Sequence, residues 1–277
     1  MTIRRMLGRE YRRINRWLHP LSPDEVLQAL LAFGRISRKG VMVHSSLSVC
    51  GHILGGPRKI VEVLRTWVGN RDLVMPTHTY CYPEADGTTP QFNPSVTPSR
   101  VGVISDIFWR QANVVRSLHP THSIACLGPG AQNLCAGHES CDTPCGHGTP
   151  YEKMVAQDFS VLMFAVSMRF YTLFYTAEDA AHVAHLYEPA PYRLQVVNPM
   201  GKVLEIVMRR HDTNIIPRFA EMDSWLESRG LLMRQRLGLG QLLFVFNAGA
   251  AHRELVNALG LEPLMLVAPE SRGLLAS

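Results

Sequence analysis

Short apolar runs of strand length alternate along this chain with stretches of helical spacing, and that alternation limits the fold more than any other feature. Val41–Val43, Leu73–Met75, Ile124–Leu127 and Val161–Val166 are too short for helices and read as buried strands. Ser22-Pro23-Asp24-Glu25 reads as a helix start, with Ser22 as cap, Pro23 in the first turn and Glu25 completing a capping box. Val26, Leu27, Leu30 and Leu31 follow at helical spacing and Gly34 ends the segment. Further helices are predicted from Pro57 through Trp67, from Ser99 or Arg100 through Ile107 and Phe108, and from about Thr172 to Leu186. Such alternation predicts an α/β fold, an α/β/α sandwich on a mixed sheet. Val203–Met208 and Leu243–Phe246 read as a continuation of that sheet, which makes 1–277 a single domain. His78–Pro98 is polar, Pro-rich and without a clear element, and reads as a functional excursion or lid.

With 46% hydrophobic and 18% charged residues, the 277-residue chain is globular and not disordered. Its apolar runs stay well short of the ~20 residues of a membrane helix. Met1–Leu18 carries Arg4, Arg5, Arg9, Arg12, Arg13 and Arg16. Leu7, Tyr11, Ile14 and Leu18 recur there at helical spacing, so a basic surface helix over about 1–19 is expected, with membrane or nucleic-acid contact as the alternative. Cysteines 50, 81, 126, 135, 141 and 145 read as reduced thiols of a cytoplasmic protein, because a chain this long needs no staples. The expected partners are small molecules, with neither nucleic acid nor membrane among them, and a homodimer is compatible with this reading.

Four constellations could carry chemistry. His44-Ser45-Ser46-Leu47-Ser48, with Gly51 and Gly55-Gly56-Pro57, ends a strand in hydroxyls and glycines just before a helix, which exposes backbone N–H groups to an anion or carbonyl. Such a turn can equally do no more than reverse the chain. Arg116–Ser123 puts an arginine, His119, His122 and three hydroxyls into eight residues, enough for a titratable base and its partners. His138, Cys141, Cys145 and His147 could hold zinc, yet their spacing is tighter than zinc hairpins use, and ordinary loop residues are the expected reading. Tyr175 and Glu178 would share a helix face, with His182 a further turn along, although an acidic start that suits the helix dipole explains the carboxylates equally well.

Taken in order, these stretches resemble the aminoglycoside 3-N-acetyltransferase family. Its pattern runs H-S-S-L-S-x-x-G, P-T, F-x-P-x-x-T-P-S-R, R-S-x-H-P-x-x-S, G-x-G-S/T-P and T-x-x-H-x-A-E. Here the same order reads His44–Ser48 with Gly51, Pro76-Thr77, Phe92–Arg100, Arg116–Ser123, Gly146–Pro150 and Thr172–Glu178. The resemblance covers roughly residues 40–190. It implies transfer of an acyl group from acetyl-CoA, or another acyl-CoA, to a primary amine, with no covalent enzyme intermediate and no metal. Under this resemblance His44, Ser45, Ser46, Leu47, Ser48, Thr77, Arg100, Ser117 and Ser123 belong to the CoA site. Tyr175, Glu178 and His119 belong to the catalytic centre.

Two departures stand out. Tyr175 occupies the place of the family's histidine, the expected general base, while Glu178 is kept. A phenol of ordinary pKa, about 10, is a poor base at neutral pH, which leaves Tyr175 as a donor, Glu178 or His119 as base, or catalysis lost. The formal charge is +5 and the isoelectric point about 9.0, whereas polycationic aminoglycosides call for an acidic cleft. A small biosynthetic amine is therefore as fitting an acceptor as an aminoglycoside-like one. The alternatives are a CoA- or acyl-binding relative acting as a partner subunit, and a zinc hydrolase built on the His/Cys loop.

Overall fold

The computed structural model describes residues 20–47, 52–84 and 86–275. The basic helix expected over 1–19, and Ser48 of the first constellation, lie outside the described residues. Helix α1 (Pro23–Leu31) starts as its sequence requires: the Ser22 hydroxyl accepts the Glu25 N–H, and the Glu25 carboxylate accepts the Ser22 N–H at 2.8 Å. Strand β1 (Gly40–Ser45) follows, then α2 (Gly56–Val68), β2 (Asp72–Pro76), the two-residue β3 (Gln91–Phe92) and α3 (Val103–Trp109). Next come β4 (Val115–Arg116), β5 (Ile124–Leu127), α4 (Ala131–Cys135), α5 (Pro150–Ala156), β6 (Ser160–Phe164) and α6 (Leu173–Ala180). The chain continues through β7 (Tyr192–Val197), β8 (Val203–Met208), α7 (Met222–Glu227), β9 (Met233–Leu237), β10 (Gly240–Val245), α8 (Ala248–Leu261) and α9 (Pro269–Arg272).

Seven strands form one sheet in the order β4-β5-β2-β1-β6-β10-β9. Its centre is parallel (β2, β1, β6) and its flanks are antiparallel. Successive side chains of a strand point to opposite faces, and the central strands bury both. Met42, Val74, Val161, Met163, Leu243 and Val245 pack under α4, α5, α6 and α8. Val41, Val43, Leu73, Leu162, Phe164 and Phe244 pack under α1, α2 and α3. This is the α/β/α sandwich with a mixed sheet that the alternation predicts.

Two expectations are corrected. Residues 203–208 do not continue the main sheet: β8 pairs with β7, and β7 with β3, in a separate three-stranded sheet around Phe92, Leu194, Val196, Ile206 and Met208. That pairing gives the His78–Pro98 excursion its one strand. The helix expected to reach Leu186 stops at Ala180, because His182 turns left-handed at φ 53°. The His182 N–H then bonds the Asp179 carbonyl at 3.0 Å and the Val183 N–H the Glu178 carbonyl at 3.2 Å, which is the Schellman closure. A non-glycine residue at that cap hides the stop from the sequence.

At the start of β1, Gly40 leaves no room for a side chain. A Cβ there would overlap the Asp72 carbonyl oxygen and sit 2.7 Å from the Phe159 ring. Neither sheet backbone nor a fully buried ring can withdraw, so Gly40→Ala should cost about 3 kcal/mol, at the upper end for overpacking. Urea unfolding at constant m-value checks this, and a loss below about 1 kcal/mol would mean that the β1–β2 contact is loose.

Candidate active site

The carboxyl ends of the three parallel strands open into one cavity of about 1170 Å³. Its wall includes His44–Leu47 at the end of β1, Pro76 and His78 at the end of β2, and Ala165–Ser167 after β6. The β1 connection leads to α2 on one face of the sheet and the β6 connection leads to α6 on the other. Adjacent strands whose connections part in this way leave a crevice between them, where open α/β sheets bind ligands. The cavity volume exceeds the roughly 300–1,000 Å³ typical of a pocket for one drug-sized ligand.

The rest of the wall comes from distant segments. Tyr80 and Tyr82 of the excursion, Arg100–Val103 at the entry to α3, Tyr171 and Thr172 just before α6, Tyr175 on it, and Arg210 and His211 beyond β8 all line it. Arg116 ties the excursion down: its guanidinium donates to the carbonyls of Thr97 at 2.6 Å and Thr77 at 3.0 Å, and lies over the Trp109 ring.

Behind and within this wall is a cluster of buried imidazoles: His44, His78, His119, His122, His138 and His211. The His78 and His122 ring centres are 4.5 Å apart, those of His119 and His138 4.2 Å, and those of His122 and His211 5.5 Å. Burial holds His44, His122 and His138 at a pKa of about 3 and pushes His78, His119 and His211 well below the ordinary value. All six are neutral at pH 7, so each ring has one N–H and one lone pair.

Hydrogen bonds then assign several protons. Tyr151 donates its hydroxyl proton to the His122 carbonyl at 3.0 Å, so the His78 Nε2–H must be the donor in the 2.8 Å contact with that oxygen. The His78 lone pair, on Nδ1, faces the Tyr80 hydroxyl at 3.3 Å. His119 Nδ1 accepts the His122 N–H at 3.0 Å and the Thr121 N–H at 3.3 Å, which puts the His119 proton on Nε2. His138 donates from Nε2 to the Pro144 carbonyl at 3.2 Å and accepts the Ser117 hydroxyl on Nδ1 at 2.9 Å.

These assignments sort the residues expected from sequence. His44, Ser45, Ser46, Leu47, Arg100 and Tyr175 line the cavity. Thr77, Ser117, Ser123, His119 and Glu178 are buried behind the lining. Thr77 and Ser123 bond each other at 2.9 Å, and Ser117 also accepts the Ile124 N–H, so these hydroxyls brace the β2–β5 edge. The His119 lone pair is committed to backbone, which removes it as a proton acceptor. Glu178 Oε1 lies 3.7 Å from His185 Nε2, and burial raises its pKa. His182 lies beyond the end of α6 and is not part of the lining.

Tyr175 is pushed above the ordinary tyrosine pKa, first by burial and then by Glu178, so it stays protonated, able to donate a hydrogen bond but not to act as a phenolate base. Within the His/Cys loop the side chains part company: His138 and Cys145 are buried, while His147 is exposed and 3.1 Å from Glu152. Sequence reasoning missed His78, Tyr80, Arg210 and His211. Their local surroundings carry no motif, and only the small sheet and the excursion bring them to the strand ends.

Known proteins share this fold. The profile of the aminoglycoside 3-N-acetyltransferase family matches residues 42–258, most of the chain. The chain belongs to that family. It is 27% identical over 256 residues to aminoglycoside N(3)-acetyltransferase IV of Salmonella sp, covering 90% of this chain and 92% of the relative. It is 29% identical over 178 residues to aminoglycoside N(3)-acetyltransferase VII of Streptomyces paromomycinus, covering 58% and 62%. Among solved structures, the apoenzyme of aminoglycoside acetyltransferase AAC(3)-IVa superposes with TM-score 0.76 at 26% identity, over 92% of this chain and 94% of that one. A histidine-to-alanine variant of the same enzyme, in complex with a gentamicin, gives TM-score 0.78 at 26% identity, with the same coverage. As a member of this family the protein is a CoA-dependent N-acyltransferase. Among the described residues, no helix is long and apolar enough to cross a membrane.

Proposed function

We propose that this cavity brings the thioester of acetyl-CoA, at the His44–Leu47 end, to a primary amine of a small molecule held beside the stacked rings of Tyr175 and His211. The observation that carries the reading is the single cavity joining the end of β1 to position 175. The amine nitrogen attacks the thioester carbonyl, the C–S bond breaks, and the products are an N-acetyl amide and CoA thiol. An enzyme of this kind holds the amine against the carbonyl, donates a hydrogen bond to the developing oxyanion and accepts one proton. The Tyr175 hydroxyl is the donor in this reading. No metal takes part in it, since the His138 ring nitrogens are engaged by Ser117 and the Pro144 carbonyl. Buried free thiols at Cys81, Cys126, Cys135 and Cys145 fit a cytoplasmic enzyme.

Charge bears on the acceptor. The charged side chains among the described lining are Arg100, Arg169 and Arg210, and Arg210 is paired with Glu188 at 3.4 Å. Such a lining favours an amine of low positive charge, including one that carries an anionic group. The aminoglycoside reading is favoured in turn by the 26%-identical relative bound to a gentamicin and, in another structure, to apramycin. Thiol release from acetyl-CoA decides between them when gentamicin and apramycin are run beside monoamines with neutral and acidic bodies. Monoamines should give the higher kcat/KM. In the same assay Ser46→Trp, which fills the mouth of the β1 loop, should weaken acetyl-CoA binding at least about tenfold by calorimetry. Tight acetyl-CoA binding with no thiol release for any amine would instead identify the CoA-binding partner subunit.

A further inference from the structure

The cavity contains an imidazole that the family pattern does not supply. His211 follows β8 and is held by a backbone bridge to Tyr187. Its ring stacks on Tyr175 with centres 3.9 Å apart and planes at 12°, and on Tyr187 at 5.4 Å and 18°. The residue is 8% exposed and lines the cavity, and its Nε2 is buried without a hydrogen-bond partner. Its chain neighbours are engaged by other partners: the Arg210 guanidinium lies over the Tyr82 ring of the same cavity, and the Asp212 carboxylate accepts from Asn214 at 2.8 Å.

We infer that the His211 imidazole takes the proton released when the amine attacks the thioester, replacing the histidine that this chain lacks at position 175. The inference rests on the acyl-transfer reading above. The substitution is one of place: the imidazole has moved from α6 to the β8 exit, and the side chain at 175 has become the ring against which it stacks. Each turnover forms one C–N bond and breaks one C–S bond. The nitrogen's surplus proton passes to His211 and then to the departing CoA thiolate, so the imidazole ends as it began.

The other cavity imidazoles fit the task less well. The His78 lone pair is met by Tyr80, and the His122 Nδ1 by the Thr121 hydroxyl at 2.8 Å. His44 has an unpartnered Nε2 but sits on the β1 loop, at the end assigned to CoA. Burial keeps His211 unprotonated before reaction, the form a base must start from. The aromatic faces of Tyr175 and Tyr187 then stabilise the imidazolium while it lasts.

The test uses the full-length protein, with acetyl-CoA and the best amine of the panel above. His211→Gln and His211→Ala should bind acetyl-CoA as wild type does by calorimetry and lose kcat by about 10²-fold or more. Free imidazole should restore His211→Ala at least about tenfold, entering the gap between Tyr175 and Tyr187, and should leave His211→Gln unchanged. Two results would overturn the assignment: both variants keeping kcat within about threefold of wild type, or a loss that imidazole cannot relieve and that tracks weakened acetyl-CoA binding. Wild type that transfers to no amine would count against the acyl-transfer reading itself, and against His211 with it.

Discussion

Lowering the pH from 7 to 5 should bring this protein close to unfolding, well above the range in which most carboxylates titrate. The six clustered imidazoles have depressed pKa values in the folded state, three of them at about 3. In the unfolded chain each returns to about 6.5. Between those limits the unfolded chain binds protons that the native state refuses, so stability falls as pH drops through 6.5. At pH 5 the loss is about 2 kcal/mol per imidazole, or about 6 kcal/mol for His44, His122 and His138 together. A native state commonly has only about 5–15 kcal/mol in all.

The carboxyls of Asp72 and Glu178, raised by burial, act in the opposite sense, stabilising the fold as they protonate. A thermal melt should therefore lose about 15 °C in Tm between pH 7 and pH 5. His122→Asn, which removes one ring and its repulsion of His78, His119 and His211, should flatten the slope. A Tm constant over that interval would show that the cluster is hydrated or already charged.

The second large effect concerns Tyr175. Tyr175→Phe removes the hydroxyl and keeps the ring against which His211 stacks, so it isolates the donor role. Loss of one well-placed oxyanion donor commonly costs about 10²–10³ in kcat, and kcat should fall by about that much with the KM for acetyl-CoA little changed. Tyr175→His supplies the family's imidazole in a cavity that already has a proton acceptor in His211, and deletes the donor. It should not exceed wild type. Steady-state thiol release across the amine panel reads both. If Tyr175→Phe matches wild type with every accepted amine, position 175 lies outside the chemistry. If Tyr175→His outruns wild type about tenfold, a base was missing and His211 is not serving as one.

Helix α1, the central strands and the layer order follow from local chemistry that the sequence carries openly. A Ser22–Glu25 capping box, a proline in the first turn and strand-length apolar runs are each complete within a few residues, and neighbours in sequence decide them. The β1 loop as a cavity wall was legible for the same reason, since a strand ending in hydroxyls before a helix exposes its end. Tertiary structure decided what depends on partners far away in the chain. Whether a histidine can accept a proton depends on which groups hold its two nitrogens. His119 loses its lone pair to backbone N–H groups, while His211, 36 residues after Tyr175 and without a motif, keeps a free Nε2 because the small sheet delivers it to the stack. The assignment of 203–208 to that sheet was likewise invisible, because strand propensity does not name a partner. Residue types announced what chemistry was available; only the packing of the small sheet against the strand ends selected which residues could perform it.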